Sequence, residues 1–459
     1  MMSGMKPNMW KETCLFCKEI VHLFLYWIAH RMPLSNRIWI FGSWFGETYN
    51  DNSKYIFEYV NANLPDITAV WLSRKKDIVL NVRRRGYKAY CFYSLSGIWY
   101  ALRAGVAIFC VGYTADLPGF CISNSKKLIQ LWHGIGTKKI GVMNTKQKDT
   151  NKKIYPYIQN PYLTKIILRL SKILFNSTAT KINHLVYKLE LFQNYTFFPT
   201  LSPSTKKMAV ESFNLPNEKV IITGSPRNDG LFGNKFIITG KISKIIEDVH
   251  NSNGFIGFYM PTHRQEGGEE MLKVINDNLR SCQKMLEEKN IYLFVKLHQF
   301  HQSESSSEHF KNIIYVSSQD LNDDIYPFLP KTDFLITDYS TIYIDYLLVN
   351  KPVVFLNYDL ERYTALDREL FFPYEEVTPG PKVSSWEQLI PTLSKQLKKD
   401  NYKKQRQKMK EFFHTYPDGN SSRRIAEKIY NSFITASPKP RTLSAWMKAR
   451  FASEARRAK

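Results

Sequence analysis

Short apolar runs alternate with polar turns and amphipathic stretches along most of this chain. The clearest example is Phe334-Leu335-Ile336, followed by Thr337-Asp338-Tyr339-Ser340-Thr341, a helix-compatible stretch, the break Asn350-Lys351-Pro352 and a second apolar run over 353–356. This order predicts strand, turn, helix, turn and strand, which is a parallel βαβ unit. Ser340 or Thr341 is expected to cap the helix, and free N–H groups at a helix start favour a phosphate. A plain capped helix is the alternative.

The same alternation covers both halves of the chain. Strands are predicted over 37–41, 69–72, 106–110 and 127–132 in the first half, and over 220–223, 254–260, 291–297 and 313–316 in the second. Helices are predicted over 52–61 and 97–104, with one long polar helix over 391–413. Strands that alternate with helices form parallel sheets covered on both faces. We therefore expect an α/β fold with two doubly wound domains that face a cleft.

The pattern divides the chain into five predicted segments. They are a membrane-associating helical segment (1–35), two α/β domains (36–200 and 201–400), closing helices (401–435) and a basic tail (436–459). The tail is expected to be disordered, and a second helix on a membrane surface is the alternative.

An apolar stretch at residues 20–29 stands out in the first segment. It is shorter than the roughly 20 residues that a membrane-spanning helix needs, and it lacks the small-residue cleavage site of a signal peptide. Lys18 and Arg31 flank it, which favours a helix lying on a membrane surface. A helix packed on the first domain is the alternative.

The formal net charge of +23 indicates an anionic partner. Nucleic acid, anionic lipid and a phosphorylated substrate all fit this charge. No zinc-finger spacing, RNP-like motif or basic zipper occurs, and the basic residues are spread along the chain. We therefore expect an anionic membrane surface and a phosphorylated substrate as partners, and no nucleic acid.

Six cysteines bear on metal and redox chemistry. Most lie inside apolar runs, as buried thiols do. The pair Cys14 and Cys17 lacks the second pair of ligands that a structural zinc site needs. This usage fits a reducing cytosol, and we expect neither a metal nor a cofactor.

Familiar nucleotide-binding and hydrolase motifs are missing. The sequence has no Gly-Lys-Ser/Thr loop, no complete GxGxxG, no GxSxG and no Asp-x-Asp. Polar side chains instead follow the ends of predicted strands, where open α/β sheets bind ligands. These residues are His133, Arg227, Arg264, His298, Asp338, Ser340 and Thr341.

His133 ends a strand and precedes Gly134, a residue that lets the backbone approach a ligand closely. A histidine in this place can take a proton from an attacking hydroxyl near neutral pH. A structural histidine at a strand end is the alternative. Lys138 is placed to attract an anionic acceptor.

Two arginines and a second histidine suit a phosphate. Arg227 and Arg264 each follow a proline-bearing turn, and a guanidinium makes bidentate contacts with phosphate oxygens. A surface salt bridge is the alternative for each. His298 would donate a hydrogen bond or proton to a leaving phosphate, and Asp338 would orient its loop.

Several of these segments, in this order, resemble the motifs of one family. The segments are 41–46, 51–55, 131–134 with 138–141, 224–229, 261–264, 296–298, 337–340 with 351–352, 358–360, and 418–424. The family is that of the CDP-glycerol glycerophosphotransferases, the primases and polymerases of wall teichoic acids and related capsules. The resemblance covers residues 36 to 430.

The resemblance implies a GT-B-like pair of Rossmann-like domains, with the acceptor on 36–200 and the donor on 201–400. It implies a peripheral enzyme on the cytoplasmic face of the cell membrane. Such an enzyme transfers glycerol phosphate from CDP-glycerol, or a related CDP-alditol, to a polyprenyl-linked acceptor or polymer and releases CMP. The family's two histidines match His133, as the base, and His298.

The predicted substrate-binding residues are Gly134, Lys138, Arg227, Pro261, Thr262, Arg264, Asp338, Ser340 and Thr341. The chain departs from the family where Ile135-Gly136-Thr137 replaces Thr-Pro-Leu, and where His263 and Gln265 flank Arg264. These departures leave the alditol and the acceptor open.

Two other functions remain open at this point. A GT-B glycosyltransferase that uses a nucleotide sugar would share the fold and the phosphate site. A non-catalytic protein that binds a membrane surface or a polyanion would explain the charge, but it would not explain polar residues gathered at strand ends.

Overall fold

The computed structural model describes residues 20–22, 24–25, 27–121, 125–134, 136–144, 195–233, 240–262, 264, 268–297, 310–322 and 324–435, without the side chains of 268–270. His298, the pair Cys14 and Cys17, and the basic tail lie outside the described residues.

A parallel sheet forms the first half of the molecule, with strand order β3-β2-β1-β4-β5. Its strands are β1 (Ser35–Phe41), β2 (Thr68–Ser73), β3 (Ala89–Cys91), β4 (Ala104–Phe109) and β5 (Lys127–Gln130). A bridge between Ile129 and Phe197 continues this sheet into a parallel pair, β6 (Phe198–Thr200) and β7 (Val220–Ile222). The predicted strands of this half are therefore confirmed, with shifts of a few residues at their ends.

Helices cover both faces of this sheet. They span Asp51–Asn63, Lys76–Arg84, Leu95–Arg103, Tyr113–Asp116 and Pro203–Phe213. The predicted helices at 52–61 and 97–104 correspond to the first and third of these. Apolar side chains of helix Lys76–Arg84 and helix Leu95–Arg103 belong to separate buried clusters, because the two helices lie on opposite faces of the sheet.

A second parallel sheet has the order β10-β9-β8-β11-β12-β13. Its strands are β8 (Phe255–Met260), β9 (Ile291–Val295), β10 (Ile313–Tyr315), β11 (Phe334–Thr337), β12 (Val353–Leu356) and β13 (Lys382–Val383). The surrounding helices span Lys241–Asn251, Gly268–Glu288, Ile342–Tyr346, Leu360–Leu366, Tyr374–Val377, Trp386–Lys398 and Lys403–Phe413. The order reverses between β8 and β11, the position at which open α/β sheets bind ligands.

The βαβ unit around Thr337–Thr341 is present, but its helix is shorter than the pattern predicts. Strands β11 and β12 are parallel neighbours, whereas the α-helix between them spans only Ile342–Tyr346. Thr341 occupies the N-cap position without a side-chain cap bond. The residues after Tyr346 form turns that end at Asn350, whose φ is +56°.

The prediction of one long polar helix over 391–413 is wrong. Two helices occupy this region, Trp386–Lys398 and Lys403–Phe413, and Lys399 between them is extended. Asp400 accounts for the break because its carboxylate accepts a hydrogen bond from Tyr402 N at 3.1 Å and pairs with the buried Arg406. A local side-chain bond of this kind competes with the helix backbone.

The closing helix, Ser421–Tyr430, returns to the first half of the molecule. Ile425, Ala426 and Ile429 are fully buried there, in a cluster with side chains of β1 and β2. The last helix therefore packs on the first sheet, although it follows the second in sequence. The predicted domain boundaries stay predictions.

The described residues between 20 and 29 are helical. Leu25, Ile28 and Ala29 pack on the core of the first half, whereas Phe24 and Trp27 are more than half exposed. One face of this helix therefore packs on the first half, as the alternative interpretation expected, and membrane contact of its exposed face stays a prediction. Among the described residues, no helix is both long and apolar enough to cross a membrane.

Candidate functional site

His133 follows β5 and lies against two tryptophan rings. The ring centroid of Trp132 is 4.5 Å from that of the imidazole, and the centroid of Trp44 is 5.1 Å from it. Trp44, Trp132 and the nearby Asp51 all have left-handed backbone, with φ of 41°, 55° and 57°. Such a conformation costs a non-glycine residue on the order of 1 kcal/mol or more. The packing around His133 therefore maintains a strained backbone.

The carboxylate of Asp51 connects this histidine segment to Arg227. Trp44 Nε1 donates a hydrogen bond to Asp51 Oδ2 at 2.9 Å, and Arg227 Nη1 lies 3.3 Å from Asp51 Oδ1. The same Nη1 donates to the carbonyl oxygen of His133 at 2.7 Å. Arg227, which lies in the turn after β7, thus fixes the backbone of the histidine.

The other arm of the Arg227 guanidinium is paired in the second half. Its Nη2 lies 2.8 Å from Asp345 Oδ2, which also accepts a hydrogen bond from Tyr326 at 2.7 Å. Burial acts against the charge, but Asp345 and Asp51 raise the pKa of Arg227 above its ordinary value. The guanidinium is therefore a fixed cation held between two carboxylates.

Burial lowers the pKa of His133 to about 4, Asp51 opposes this shift and Arg227 adds to it. The imidazole is consequently neutral at pH 7, the state of a proton acceptor. Its Nδ1 is inaccessible to solvent and has no hydrogen-bond partner among the described residues. Ring packing and a hydrogen bond with the backbone of Cys110, which raises the pKa of His133, orient the imidazole.

A second group of polar residues lies at the ends of β8 and β11. Asp338 accepts hydrogen bonds from Thr262 N and Oγ1, at 2.9 and 2.6 Å, and from Ser340 N at 3.2 Å. Arg264 lies 2.9 Å from both Asp338 and Asp359. Although burial opposes the charge, these carboxylates raise the pKa of Arg264. Asp338 therefore ties two strand ends together.

Glycines bring the two halves into direct contact. A Cβ added at Gly134 would lie 3.1 Å from Thr341 Oγ1 and 3.3 Å from Arg227 Nη2. A Cβ at Gly136 would lie only 2.4 Å from Thr341 Cγ2 and 2.9 Å from Ile344 Cδ1. Gly134 also has a φ of +139°, which disfavours any side chain. The segment after β5 thus lies directly on the turn that follows β11.

Lys138 extends from this segment into the second group. Its Nζ lies 3.5 Å from Thr262 Oγ1 and 5.3 Å from the ring centroid of Tyr363. Burial lowers the pKa of Lys138 to about 7, and Asp338 opposes that shift. The ammonium is therefore only partly populated near neutral pH.

Further buried contacts lie beside the cleft, one set within the first half and one ion pair between the two halves. Asn52 Oδ1 accepts hydrogen bonds from Arg227 N at 2.9 Å and from Ser225 Oγ at 2.7 Å. Lys54 Nζ lies 2.5 Å from Asp324 Oδ2 in a pair with both side chains less than a tenth exposed. The ion pair helps to hold the two sheets in one relative orientation.

All predicted site residues except His298 lie in the described part of the chain. His133, Gly134, Arg227 and Thr341 form a first cluster, and Lys138, Thr262, Arg264, Asp338 and Ser340 form a second. Pro261 lies between β8 and Thr262. Within the described ranges, no three His, Cys, Asp or Glu residues are grouped to hold a metal ion. The predicted role of His298 stays a prediction.

Sequence reasoning missed several carboxylates and aromatic residues of the site. Asp345 had a readable signal, since it is the single acid in the apolar run 342–348. The family-like motifs contain three more of these residues, Trp44, Asp51 and Asp359, but nothing in the local sequence indicated which residues they would contact.

The sequence matches the family described as CDP-Glycerol:Poly(glycerophosphate) glycerophosphotransferase over residues 24–431. The teichoic acid ribitol-phosphate primase of Bacillus spizizenii is 23% identical over 415 residues, which are 88% of this chain and 93% of that protein. The teichoic acid poly(glycerol phosphate) polymerase of the same organism is 25% identical over 430 residues, 89% of this chain and 96% of that protein. The teichoic acid ribitol-phosphate polymerase TarK of Staphylococcus aureus is 27% identical, and this chain spans 52% of its length.

The fold also matches a solved structure, that of the wall teichoic acid polymerase TagF with CDPG. The TM-score is 0.65 at 19% identity, and the match covers 94% of this chain and 98% of that one. This likeness confirms the predicted GT-B-like fold of two Rossmann-like domains, and the family match confirms the predicted class of transferase. Because that match covers most of the sequence, the chain belongs to the CDP-glycerol:poly(glycerophosphate) glycerophosphotransferase family, the alditol-phosphate transferases of teichoic acid synthesis.

Proposed function

We propose that this protein moves an alditol phosphate from a CDP-alditol to a hydroxyl of a lipid-linked acceptor, with His133 as the base. One observation carries the proposal. The segment that holds the neutral imidazole packs, through Gly134, against the hydroxyl-bearing turn Ser340-Thr341 of the other half. A proton acceptor and donors for phosphate oxygens are thus held at one cleft.

In this reaction the acceptor oxygen forms a bond to the phosphorus that bears the alditol. The bond from that phosphorus to the bridging oxygen of the diphosphate breaks, and CMP leaves with this oxygen. His133 takes the hydroxyl proton, and Ser340 and Thr341 donate hydrogen bonds to phosphate oxygens. Such catalysis rests on positioning and on donors fixed in advance. His298 is proposed to assist the departure of CMP.

The direct test is the substitution His133→Ala, assayed by CMP release from CDP-glycerol and from CDP-ribitol with a synthetic lipid-linked acceptor. We expect a loss of about 10²-fold or more, because general-base catalysis contributes about 10²–10⁴-fold. His250→Ala is the matched control, since that imidazole is partly exposed and pairs with Asp333 on the second half. A folded His133→Ala enzyme with the wild-type rate contradicts the proposal.

The alternative of a nucleotide-sugar glycosyltransferase is tested in the same assay. UDP-sugars replace the CDP-alditols, and the release of UDP is measured instead of CMP. UDP release without CMP release from either CDP-alditol would favour the glycosyltransferase.

We also propose that the protein binds the cytoplasmic membrane surface through its first described helix. Phe24 and Trp27 are 59% and 52% exposed there, and Leu95 and Trp99 on the adjoining helix are 89% and 55% exposed. Arg31 lies over the Trp27 ring, 3.8 Å from its centroid. Apolar side chains flanked by cations suit an anionic lipid interface.

Co-sedimentation with phosphatidylglycerol vesicles tests this surface. Phe24→Glu combined with Trp27→Glu is expected to reduce the bound fraction severalfold, because charged side chains replace apolar ones at the interface. Leu80→Glu is the matched control, since Leu80 is 51% exposed on a helix that covers the opposite face of the sheet. Equal binding of the two variants would exclude this surface.

A further inference from the structure

Neither Arg227 nor Arg264 has a free charge to offer a diphosphate. Arg227 is paired with Asp51 of the first half and Asp345 of the second. Arg264 is paired with Asp338 and Asp359, which follow strands β11 and β12. Each guanidinium with its two carboxylates carries a formal charge of −1. A diphosphate that enters this cleft therefore needs another cation.

Lys138 is placed differently from the two arginines. It forms no ion pair with a carboxylate among the described residues, and its polar contact is the hydroxyl of Thr262. That hydroxyl donates a hydrogen bond to Asp338 at 2.6 Å. Asp338 lies two residues before Ser340 in the same turn. The ammonium thus adjoins the proposed phosphate-binding turn without being neutralised by it.

The backbone of Lys138 is fixed between the two halves. Lys138 pairs with Leu370 of the second half in an antiparallel bridge. Hydrogen bonds of 2.9 and 2.6 Å join the neighbours of Lys138 to the neighbours of Leu370. The lysine is therefore carried by the first half, but its position is set by the second.

The surroundings of the amine shift it toward its neutral form in the absence of a ligand. The charged and titratable groups that face it come from the strand ends and from residues 363–368: Asp338, Arg264, Tyr363, Asp367 and Arg368. Burial is the largest effect and lowers the pKa of Lys138 to about 7, the two acids oppose it, and the two arginines add to it. A phosphate anion placed beside the amine would reverse this balance.

We propose that Lys138 binds the diphosphate of the CDP-alditol and takes up one proton from solvent as this donor binds. The inference rests on the proposed function and adds a proton to its binding step. The neutral amine and one proton give an ammonium, which pairs with phosphate oxygens, and no bond of the donor breaks. The diphosphate diester itself has no group that titrates near neutral pH, so the proton goes to the protein.

Isothermal titration calorimetry measures this uptake. CDP-glycerol, and separately CDP-ribitol, is titrated into the protein at pH 8 in buffers of different ionisation enthalpy. From a pKa of about 7, we expect about 0.9 proton per donor bound at pH 8 and about 0.5 at pH 7. The slope of the observed enthalpy against the buffer enthalpy gives the number directly.

Three variants separate Lys138 from other groups. Lys138→Arg carries its charge at every pH used, so it is expected to bind the donor without proton uptake. Lys139→Arg is the matched control, because the adjacent Lys139 is paired with Glu369; its uptake is expected to equal that of the wild type. Lys138→Met is expected to weaken donor binding by about tenfold or more.

Kinetics give a second measurement. In the wild type, kcat/KM is expected to fall about tenfold per pH unit above pH 7, while kcat changes little, because only the free enzyme loses the proton. Lys138→Arg is expected to remove this basic limb. If Lys138 had a purely structural role, the Lys138→Arg enzyme would keep the same basic limb as the wild type.

The outcomes distinguish this inference from the function on which it rests. Binding and turnover without buffer-dependent enthalpy at pH 8 would overturn the role of Lys138 and leave the transferase function standing. Uptake that persists in Lys138→Arg would also overturn it, since the proton would then go to another group. No binding of either CDP-alditol would refute the proposed function itself.

Discussion

The two halves of the cleft approach each other closely at Gly136, and a single added methyl group tests the importance of this approach. In Gly136→Ala the new Cβ would lie 2.4 Å from Thr341 Cγ2 and 2.9 Å from Ile344 Cδ1, whereas ordinary contacts begin at 3.4 Å. The two halves, or the turn that carries Thr341, must therefore separate by about 1 Å. Overpacking of this kind costs about 1–3 kcal/mol.

The displacement matters more for catalysis than for stability. Thr341 is a proposed ligand of the donor phosphate, and a misplacement of about 1 Å in a catalytic geometry can cost about 10²-fold in rate. We therefore expect kcat/KM for CMP release to fall by one to two orders of magnitude, and the unfolding free energy to fall by only about 1–3 kcal/mol.

A control and a partial rescue make the test specific. Gly112→Ala is the control, because the nearest atom to its Cβ would be Ala115 Cβ at 3.9 Å; it should change neither quantity. Thr341→Ser keeps the hydroxyl and removes the methyl group with the shortest contact. Activity of Gly136→Ala should therefore recover in part when Thr341→Ser is added, relative to Thr341→Ser alone. Wild-type kcat/KM in Gly136→Ala would refute the reasoning.

Two further predictions concern a buried ion pair and the base. Lys54→Met should lower the unfolding free energy, measured by chemical denaturation, by about 3–5 kcal/mol, because it leaves the Asp324 carboxylate buried without this cation. The control Lys75→Met breaks an exposed ion pair and should change the unfolding free energy by less than about 1 kcal/mol. Similar losses in the two variants would contradict the importance of the buried pair. Because the pKa of His133 is lowered to about 4, the base stays neutral as pH falls from 7 to 5. The acid limb of kcat/KM should therefore lie below pH 5.5, and a limb near 6.5 would refute the assignment.

The sequence predicted which polar side chains gather at the sheet edges, because parallel strands share a direction. Each strand that ends in a polar residue places that residue at the same edge of its sheet. His133 follows β5, and Thr262 and Asp338 follow β8 and β11. That reasoning needed no knowledge of distances between segments.

What the sequence could not give was the pairing of charges. Arg227 and Asp345 are 118 residues apart, and Arg264 and Asp359 are 95 apart. No local pattern shows that a guanidinium is already shared by two carboxylates, so the sequence left phosphate binding and a surface salt bridge open for both arginines. Burial, which sets the pKa of Lys138, is likewise a property of the assembled halves.

The break between the two late helices could have been predicted. Asp400 and Asn401 are residues whose side chains compete with helical hydrogen bonds, and they lie inside the stretch taken as one helix. Amphipathic spacing on both sides of the break hid this signal. The return of Ser421–Tyr430 to the first sheet had no local signal at all.

The left-handed backbone at Trp44, Asp51 and Trp132 has a consequence for protein engineering. Glycine adopts this conformation without the steric penalty of these side chains, but removing the buried ring of Trp132 would leave a cavity that costs about 3–5 kcal/mol, more than the strain that it relieves. Each replacement would also remove a side chain that orients His133. Directed evolution of this enzyme for robustness should therefore retain the strained backbone at Trp132, because packing and catalysis favour the same side chain there.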